Sequence, residues 1–176
     1  MQDLETERLT LRMYTEDDAE GLYAYAKNPN VGPHAGWKPH ESVEESRQII
    51  RELFIPNEAW AIRLKGDDRI IGSIALEPDR HRDDRSREIG YSLAEDMWGQ
   101  GLMKEACEEV MWFAFSMLGL SIIGICTAPE NKRSQGVIRK CGFKYDGTIR
   151  RSYRTYTGEC RDSLCFSILK EEFKNG

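Results

Sequence analysis

Long apolar runs are missing from this 176-residue chain, and no segment is long enough to span a bilayer as a helix. An excess of positive charge is missing as well. The 25 Lys and Arg stand against 30 Asp and Glu, and the net charge of -5 argues against a general nucleic-acid binder while leaving room for a local basic patch. No C-x-x-C pair occurs among the five cysteines, Cys107, Cys126, Cys141, Cys160 and Cys165, so this odd set reads as reduced, structural thiols of a cytosolic protein. The three histidines show no metal-ligand spacing, and no metal is expected. The opening Met1-Gln-Asp-Leu-Glu-Thr-Glu7 is acidic, lacks an apolar segment and is not a secretory signal. Without repeats, low-complexity tracts or a visible boundary, residues 1–176 read as a single cytoplasmic domain with one sizeable core and no membrane partner. Whether it works as a monomer or a homodimer is not legible.

What is present is organised around Glu88–Lys104. Glu88 to Ala94 alternates Ile89, Tyr91 and Leu93 against Gly90, Ser92 and Ala94, the pattern of a half-buried strand. Trp98-Gly-Gln-Gly101 is a glycine-bearing turn into a helix whose apolar face carries Met103, Ala106, Val110, Phe113, Ala114, Met117 and Leu118. Strand, glycine turn and helix together present unpaired N–H groups at a positive helix end, a seat for a phosphate. No Gly-Lys-Ser/Thr follows, and no third glycine stands at dinucleotide-fold spacing, so the usual nucleotide loops are excluded. Gly90 inside the strand marks a bulge or a close backbone approach.

Upstream, Arg8–Met13 reads as a strand, and Thr15 with Asp18 as a capping arrangement for a helix ending near Asn28-Pro29. Asn30–His40 is an irregular Gly, Pro and aromatic loop. His34, Trp37 and His40 are candidates to line a substrate pocket; the plainer reading makes Trp37 a plug at the core edge and leaves the histidines solvated. Ser42 caps a second helix to about Phe54, and the strands 59–64 and 69–76 form a hairpin. Residues 77–87 read as a charged, solvated, mobile linker. Downstream come a buried strand at 121–127, a short helix from Asn131 closed by Gly142, and two final strands. The order predicts an α+β domain with a mixed, largely antiparallel central sheet flanked by helices.

Ile89-Gly-Tyr-Ser-Leu93, Trp98-Gly-Gln-Gly-Leu-Met-Lys-Glu-Ala106, Asn131-x-x-Ser134 and Cys141-Gly-Phe143 resemble, in order and spacing, the GNAT superfamily of N-acetyltransferases. The opening Thr6-Glu-Arg-Leu-Thr-Leu-Arg12 and the Asn28-Pro-Asn-Val31 and Trp37-x-Pro-His40 segments resemble its ribosomal-protein (RimJ/RimL-like) branch. The resemblance implies that acetyl-CoA is the cosubstrate. Its pyrophosphate would be wrapped by Trp98, Gly99, Gln100, Gly101, Leu102 and Met103. Tyr91, Ser92 and Leu93 would pair with the pantetheine arm, and an amide near Ser92 or Leu93 would polarise the thioester carbonyl. The family pattern is Gln/Arg-x-x-Gly-x-Gly/Ala. Trp98 is a familiar variant of its first position; Met103 is a departure, and its larger side chain is expected to crowd the loop.

The implied reaction moves an acetyl group onto a primary amine, a protein N-terminus or a small amine, by direct attack in a ternary complex. An α-amine costs roughly 3 kcal/mol less than Lys to deprotonate at neutral pH, so a modest base acting through water suffices. Glu88 is the candidate base, against the reading that it only pairs with an arginine; Asp162 and Glu105 are weaker alternatives. For the leaving thiolate, the family's tyrosine position is occupied by Ile138. Ser134 with Asn131 offers hydrogen bonds there, and the two residues also fit a simple helix cap. Cys126 and Cys141 read as packed apolar residues without a His or Lys setting, and no acyl-enzyme is expected. A rival reading is a non-catalytic module contacting CoA or RNA through the basic, aromatic Arg150–Tyr156, which equally suits an exposed strand or a substrate-site wall.

Overall fold

The computed structural model describes residues 1–82 and 85–174. β1 (Leu4–Glu5) and β2 (Leu9–Met13) lead through a 3-10 turn, Glu16–Asp18, into α1 (Ala19–Ala26). Asp18 ties this corner together, accepting from the Thr15 N–H at 2.8 Å and pairing with Arg12. A short helix, α2 (Gly32–Ala35), precedes α3 (Val43–Ile49), which continues as a π-helical turn over Ile50–Phe54. Ser42 caps α3, its Oγ accepting from the Glu45 N–H at 3.0 Å.

Then follow β3 (Trp60–Leu64), β4 (Ile70–Pro78), β5 (Ser86–Leu93), α4 (Leu102–Ser116), β6 (Ile122–Thr127), α5 (Lys132–Lys140), β7 (Lys144–Arg154) and β8 (Cys160–Leu169). The strands make one eight-stranded sheet in the order β1-β2-β3-β4-β5-β6-β8-β7. Every neighbouring pair is antiparallel except β5 and β6, which run parallel across the α4 crossover. The expected mixed, largely antiparallel α+β architecture is what forms.

Side-chain alternation gives the sheet two different faces. One carries Leu9, Leu11, Trp60, Ile62, Ile74, Ile89, Ile123 and Phe166 and packs under α4 and α5 through Leu102, Val110, Ala114 and Ile138. The other carries Ala61 and Ala75 and packs under α1 and the π-turn through Leu22, Tyr25 and Ile50. Beyond this smaller core the second face runs on through polar residues, and there a cavity opens.

Two expectations are corrected. Met117 and Leu118 are 58 % and 44 % exposed rather than inward, because α4 stops at Ser116 and both of their N–H groups fold back onto the Phe113 carbonyl. The 77–87 stretch is not simply a solvated linker. Its ends belong to β4 and β5, and between them Arg80 and Arg82 fold back onto Glu88, Asp79 and Asp146. Of that stretch, residues 83 and 84 lie outside the described residues. β1 and α2 were too short to show a period in the sequence.

Gly72 carries the contact between β4 and β5. A Cβ there would stand 2.5 Å from the Ser92 carbonyl oxygen, a backbone atom of the paired strand. Gly72→Ala is therefore expected to lower the urea midpoint by the equivalent of about 1–3 kcal/mol, as overpacking does. An unchanged midpoint would show that the β4–β5 ladder gives way freely.

Candidate active site

The site begins where β5 and β6 part. They are in register only over Ser86–Ile122, Arg87–Ile123 and Glu88–Gly124, although β5 continues to Leu93 and β6 to Thr127. β4 holds the other edge of β5 through Leu93, and the next amide, Ala94 N–H, donates to the Ile71 carbonyl at 2.7 Å. In-plane alternation then turns the main-chain groups of Tyr91 and Leu93 away from β4, into the gap. The Leu93 carbonyl is taken there by Trp98 Nε1 at 2.9 Å. By the same alternation the Ser92 main chain faces β4, so of the two expected amides Leu93 is the one aimed at the gap. The Ser92 hydroxyl is engaged with Ser73 Oγ at 2.9 Å and Tyr25 OH at 3.1 Å.

Two cavities open on this gap. One, of about 300 Å³, is lined by Leu93, Trp98, Gly99, Gly101, Leu102 and Met103 from the glycine turn and by Lys132, Arg133 and Lys140 from α5. Gly99 and Gly101 have φ of 77° and 79°, a left-handed conformation that glycine adopts without a Cβ penalty. Gly101 is the N-cap of α4 and has no side chain to satisfy the helix end. Among the described residues none of the N–H groups of Gly99 to Lys104 has a protein acceptor; the first helical bond is Glu105 N–H to Gly101 C=O, at 3.1 Å. Arg133 adds charge, its guanidinium lying 4.0 Å from the Trp98 ring centroid. Unpaired amides, a positive helix end and cationic side chains together fit a diphosphate. Met103 does not crowd the turn as expected: only 4 % exposed, it packs into the main core. Gln100 is held back by its side-chain bond to the Asp96 carbonyl at 3.0 Å.

The other cavity, about 380 Å³, lies on the polar part of the second face. Its floor includes Ser73, Glu77, Glu88, Gly90, Ser92, Cys126 and Ser163, and its walls include Trp37, His40, Tyr153 and Arg161. His34, Tyr91, Ser92, Asn131 and Ser134 border both cavities. Asn131 caps α5, its Oδ1 accepting from the Ser134 N–H at 3.1 Å, so the capping reading of this pair holds at the cavity junction. Ser134 Oγ lies 2.9 Å from the Tyr91 hydroxyl, whose pKa burial drives far above the ordinary tyrosine value, leaving it a neutral donor. Ile138 is fully buried in the main core.

Glu88 is 6 % exposed and paired with Arg80, Nη2 to Oε1 at 2.8 Å, so the arginine pairing and the cavity position coexist. The carboxylate that sequence reading missed is Glu77, directly opposite Glu88 in the β4–β5 ladder. Among the described residues its carboxylate has no ion-pair or hydrogen-bond partner. Burial first, then the Glu88 charge, raise its pKa above the ordinary carboxylate value. Gly90 makes room for it: a Cβ there would stand 3.3 Å from Glu77 Oε1, so this glycine admits a side chain and is neither the bulge nor the close backbone approach expected of it. The signal available was the parity of a hairpin register, hidden by the charged run. The weaker base candidates lie elsewhere. Glu105 clasps Arg8 at the start of α4, and Asp162 accepts from the Arg151 N–H at 2.8 Å.

Trp37 packs against the smaller core and faces the cavity as well, so both of its readings apply. His40 is not solvated: it is 8 % exposed, bonded through Nδ1 to Ser46 Oγ at 2.8 Å, and its pKa is lowered by burial. Tyr153, from the basic Arg150–Tyr156 segment, forms cavity wall and carries Arg161 over its ring at 4.9 Å. Cys126 is likewise not a simple packed thiol; it faces the cavity beside Cys165 and His81. Cys141 is buried in the main core as expected.

Comparison with known proteins gives concordant findings. The Acetyltransferase (GNAT) domain family matches residues 8–144. The chain is 32 % identical over 178 residues to an uncharacterized N-acetyltransferase, p20, of Bacillus licheniformis, covering 98 % of this chain and 99 % of that one. Its fold is similar to that of ribosomal-protein-S5-alanine acetyltransferase from Vibrio fischeri, with a TM-score of 0.77, 23 % identity and coverage of 98 % and 99 %. It is also similar to Mycobacterium smegmatis RimJ in complex with CoA-disulfide, with a TM-score of 0.80, 24 % identity and coverage of 96 % and 85 %. Among the described residues no helix is long and apolar enough to cross a membrane.

Gly101→Val puts a β-branched side chain at φ 79° in front of the free amides. It should weaken coenzyme A binding, measured by calorimetry, about 10-fold or more, the equivalent of the 1–2 kcal/mol that left-handed backbone costs a residue with a Cβ. Unchanged affinity would remove the turn from the binding site.

Proposed function

The chain belongs to the GNAT family of acetyltransferases, acetyl-CoA-dependent N-acetyltransferases, and from that premise we propose the finer reading of its reaction. The acetyl group passes directly from acetyl-CoA to a primary amine, a protein N-terminal α-amine of the ribosomal-protein kind or a small amine. The observation that carries this reading is the meeting of a cationic, amide-lined cavity and an acidic one at Tyr91, Ser92, Asn131 and Ser134.

Acetyl-CoA would lie with its diphosphate on the Trp98–Met103 turn and its pantetheine arm along the free edge of β5. The Leu93 N–H then faces the thioester carbonyl as the oxyanion donor. The amine enters from the acidic cavity, where His34 and Trp37 bound its path. Of the two carboxylates on the floor, Glu88 is the one first singled out by sequence; its Oε1 is engaged by Arg80 at 2.8 Å, which leaves it less accessible to an incoming amine than Glu77. Glu77, unpaired and with a raised pKa, takes the amine proton through water, and the Glu88 charge helps keep it basic. The neutral nitrogen attacks the carbonyl carbon, the C–S bond breaks and the nitrogen gives up its second proton to water. The leaving thiolate accepts hydrogen bonds from the Ser134 and Tyr91 hydroxyls, with Asn131 holding Ser134, and takes its proton from water. Cys126 is no nucleophile here, since burial and its Cys165 and Glu88 neighbours keep it a thiol.

A general base must be deprotonated to act, so turnover falls as pH drops through the Glu77 pKa. Because that pKa is raised, the fall begins at higher pH than an ordinary carboxylate would give. Measured as free-thiol release from acetyl-CoA against a panel of peptides and small amines, Glu77→Gln should lower kcat/KM about 10²-fold and abolish this acid limb. Glu88→Gln should move the limb to lower pH. Mass detection of the product identifies the acceptor. An acid limb unchanged in Glu77→Gln would return the base to Glu88, and a burst of thiol with acetyl-cysteine on the path would overturn direct attack.

A further inference from the structure

Cys126 and Cys165 are paired residues of the β6–β8 ladder, with their sulfur atoms 2.8 Å apart on the cavity face. Above them lies His81, from the β4–β5 connection. The ligand atoms of all three fall within 4.8 Å of one another. The histidine is brought there by its neighbours. Arg80 is fixed to Glu88, and Arg82 to Asp79 at 2.8 Å and Asp146 at 2.5 Å. The His81 N–H donates to Asp79 Oδ1 at 2.8 Å. The segment comes down onto the sheet at Gly124, where a Cβ would meet Arg82 Nη1 at 2.6 Å. Among the described residues the His81 imidazole has no hydrogen-bond or ion-pair partner, so its nitrogens are available.

We propose that Cys126, Cys165 and His81 form a site for one soft or borderline metal ion of the Zn²⁺ or Cd²⁺ class, at the margin of the acidic cavity, where Cys126 is part of the lining. Two thiolates and an imidazole select such ions over Mg²⁺ or Ca²⁺. Three protein ligands leave a fourth, cavity-facing position for water or for Glu88, which neighbours Cys126. Tetrahedral coordination at about 2.3 Å per Zn–S bond needs the sulfurs about 3.8 Å apart, so binding spreads them from the 2.8 Å of the unbound pair. Binding releases the two thiol protons to solvent and involves no oxidation. Packing alone does not account for an exposed imidazole held over two thiols by flanking ion pairs. Cys107 and Cys141, the other neighbouring thiols, are both buried and have no histidine beside them.

Occupancy would also place a cation where the amine enters. This consequence rests on the acetyl-transfer reading above; the binding itself does not.

The test is a Cd²⁺ titration of the full chain, reduced with a phosphine and stripped by chelator, followed by the ultraviolet thiolate-to-cadmium charge-transfer band. The band should saturate at one ion per chain. Cys126→Ser and Cys165→Ser should each abolish it, His81→Ala should weaken the affinity at least about 10-fold, and Cys141→Ser should leave it intact. Coenzyme A binding by each variant shows that it is folded. Zn²⁺ should then inhibit amine acetylation by the wild-type chain without weakening coenzyme A binding, and Cys165→Ser should be insensitive to it. Absence of the band in the reduced wild-type chain, or its persistence in either serine variant, overturns the site. If the band behaves as expected and no amine is acetylated, the site stands and the acetyl-transfer reading fails.

Discussion

Everything at the site depends on two parallel strands that stay together for three residue pairs and then separate. A buried strand cannot leave its amides and carbonyls unmet, and each orphaned group would cost about as much as a lost hydrogen bond. β5 solves half of the problem on its β4 edge, where the ladder runs without a break from Pro78–Arg87 to Gly72–Leu93. On the other edge, beyond the three β6 pairs, the Leu93 carbonyl is supplied from within the chain by the Trp98 indole. What remains at Tyr91 and Leu93 is a short row of donors and acceptors that an extended ligand arm can complete, as a third strand would. Unmet hydrogen-bonding capacity is thus concentrated on one strand edge and carried on by the free amides of Gly99–Lys104.

Glycines decide what can come close to the sheet. Gly72 lets the Ser92 carbonyl approach β4, Gly90 leaves space for the Glu77 carboxylate, and Gly124 admits the Arg82 guanidinium onto β6. These are spatial requirements rather than conformational ones, and they differ from the left-handed turn at Gly99 and Gly101. The two kinds of glycine read alike in a sequence. One set keeps the sheet face shallow enough to hold a cavity, and the other bends the chain so that its amides point outward.

Much of this was legible beforehand. Periodicity, together with cap and turn residues, located β2 through β8 and the four longer helices, because apolar alternation and helical spacing report burial directly. The glycine turn was readable as an anion seat from residue type and order. Legibility failed where position depends on pairing rather than on local pattern. Glu77 looked like the first residue of a charged linker until the β4–β5 register set it opposite Glu88. His81, Cys126 and Cys165 show no ligand spacing in the chain, since they meet only through one hairpin and one antiparallel ladder. Met117 and Leu118 continued the apolar period of α4, but the helix had already ended.

The charges follow from the same division of the sheet. Lys132, Arg133 and Lys140 line the cavity of the glycine turn, whereas Glu77 and Glu88 lie on the floor of the other. A chain with a net charge of -5 must gather cations locally to hold a diphosphate, and the start of α5 does so beside a helix mouth that already favours anions. The acidic floor suits an incoming ammonium and the proton it must lose. Arg80 limits the repulsion between the two carboxylates by neutralising Glu88, so only Glu77 is left to bear the cost of burial, and a group paying that cost binds a proton more readily. Separation of charge across the β5–β6 gap therefore has two consequences: it makes one cavity cationic and the other acidic, and it leaves Glu77, unpaired among the described residues, with its affinity for a proton raised.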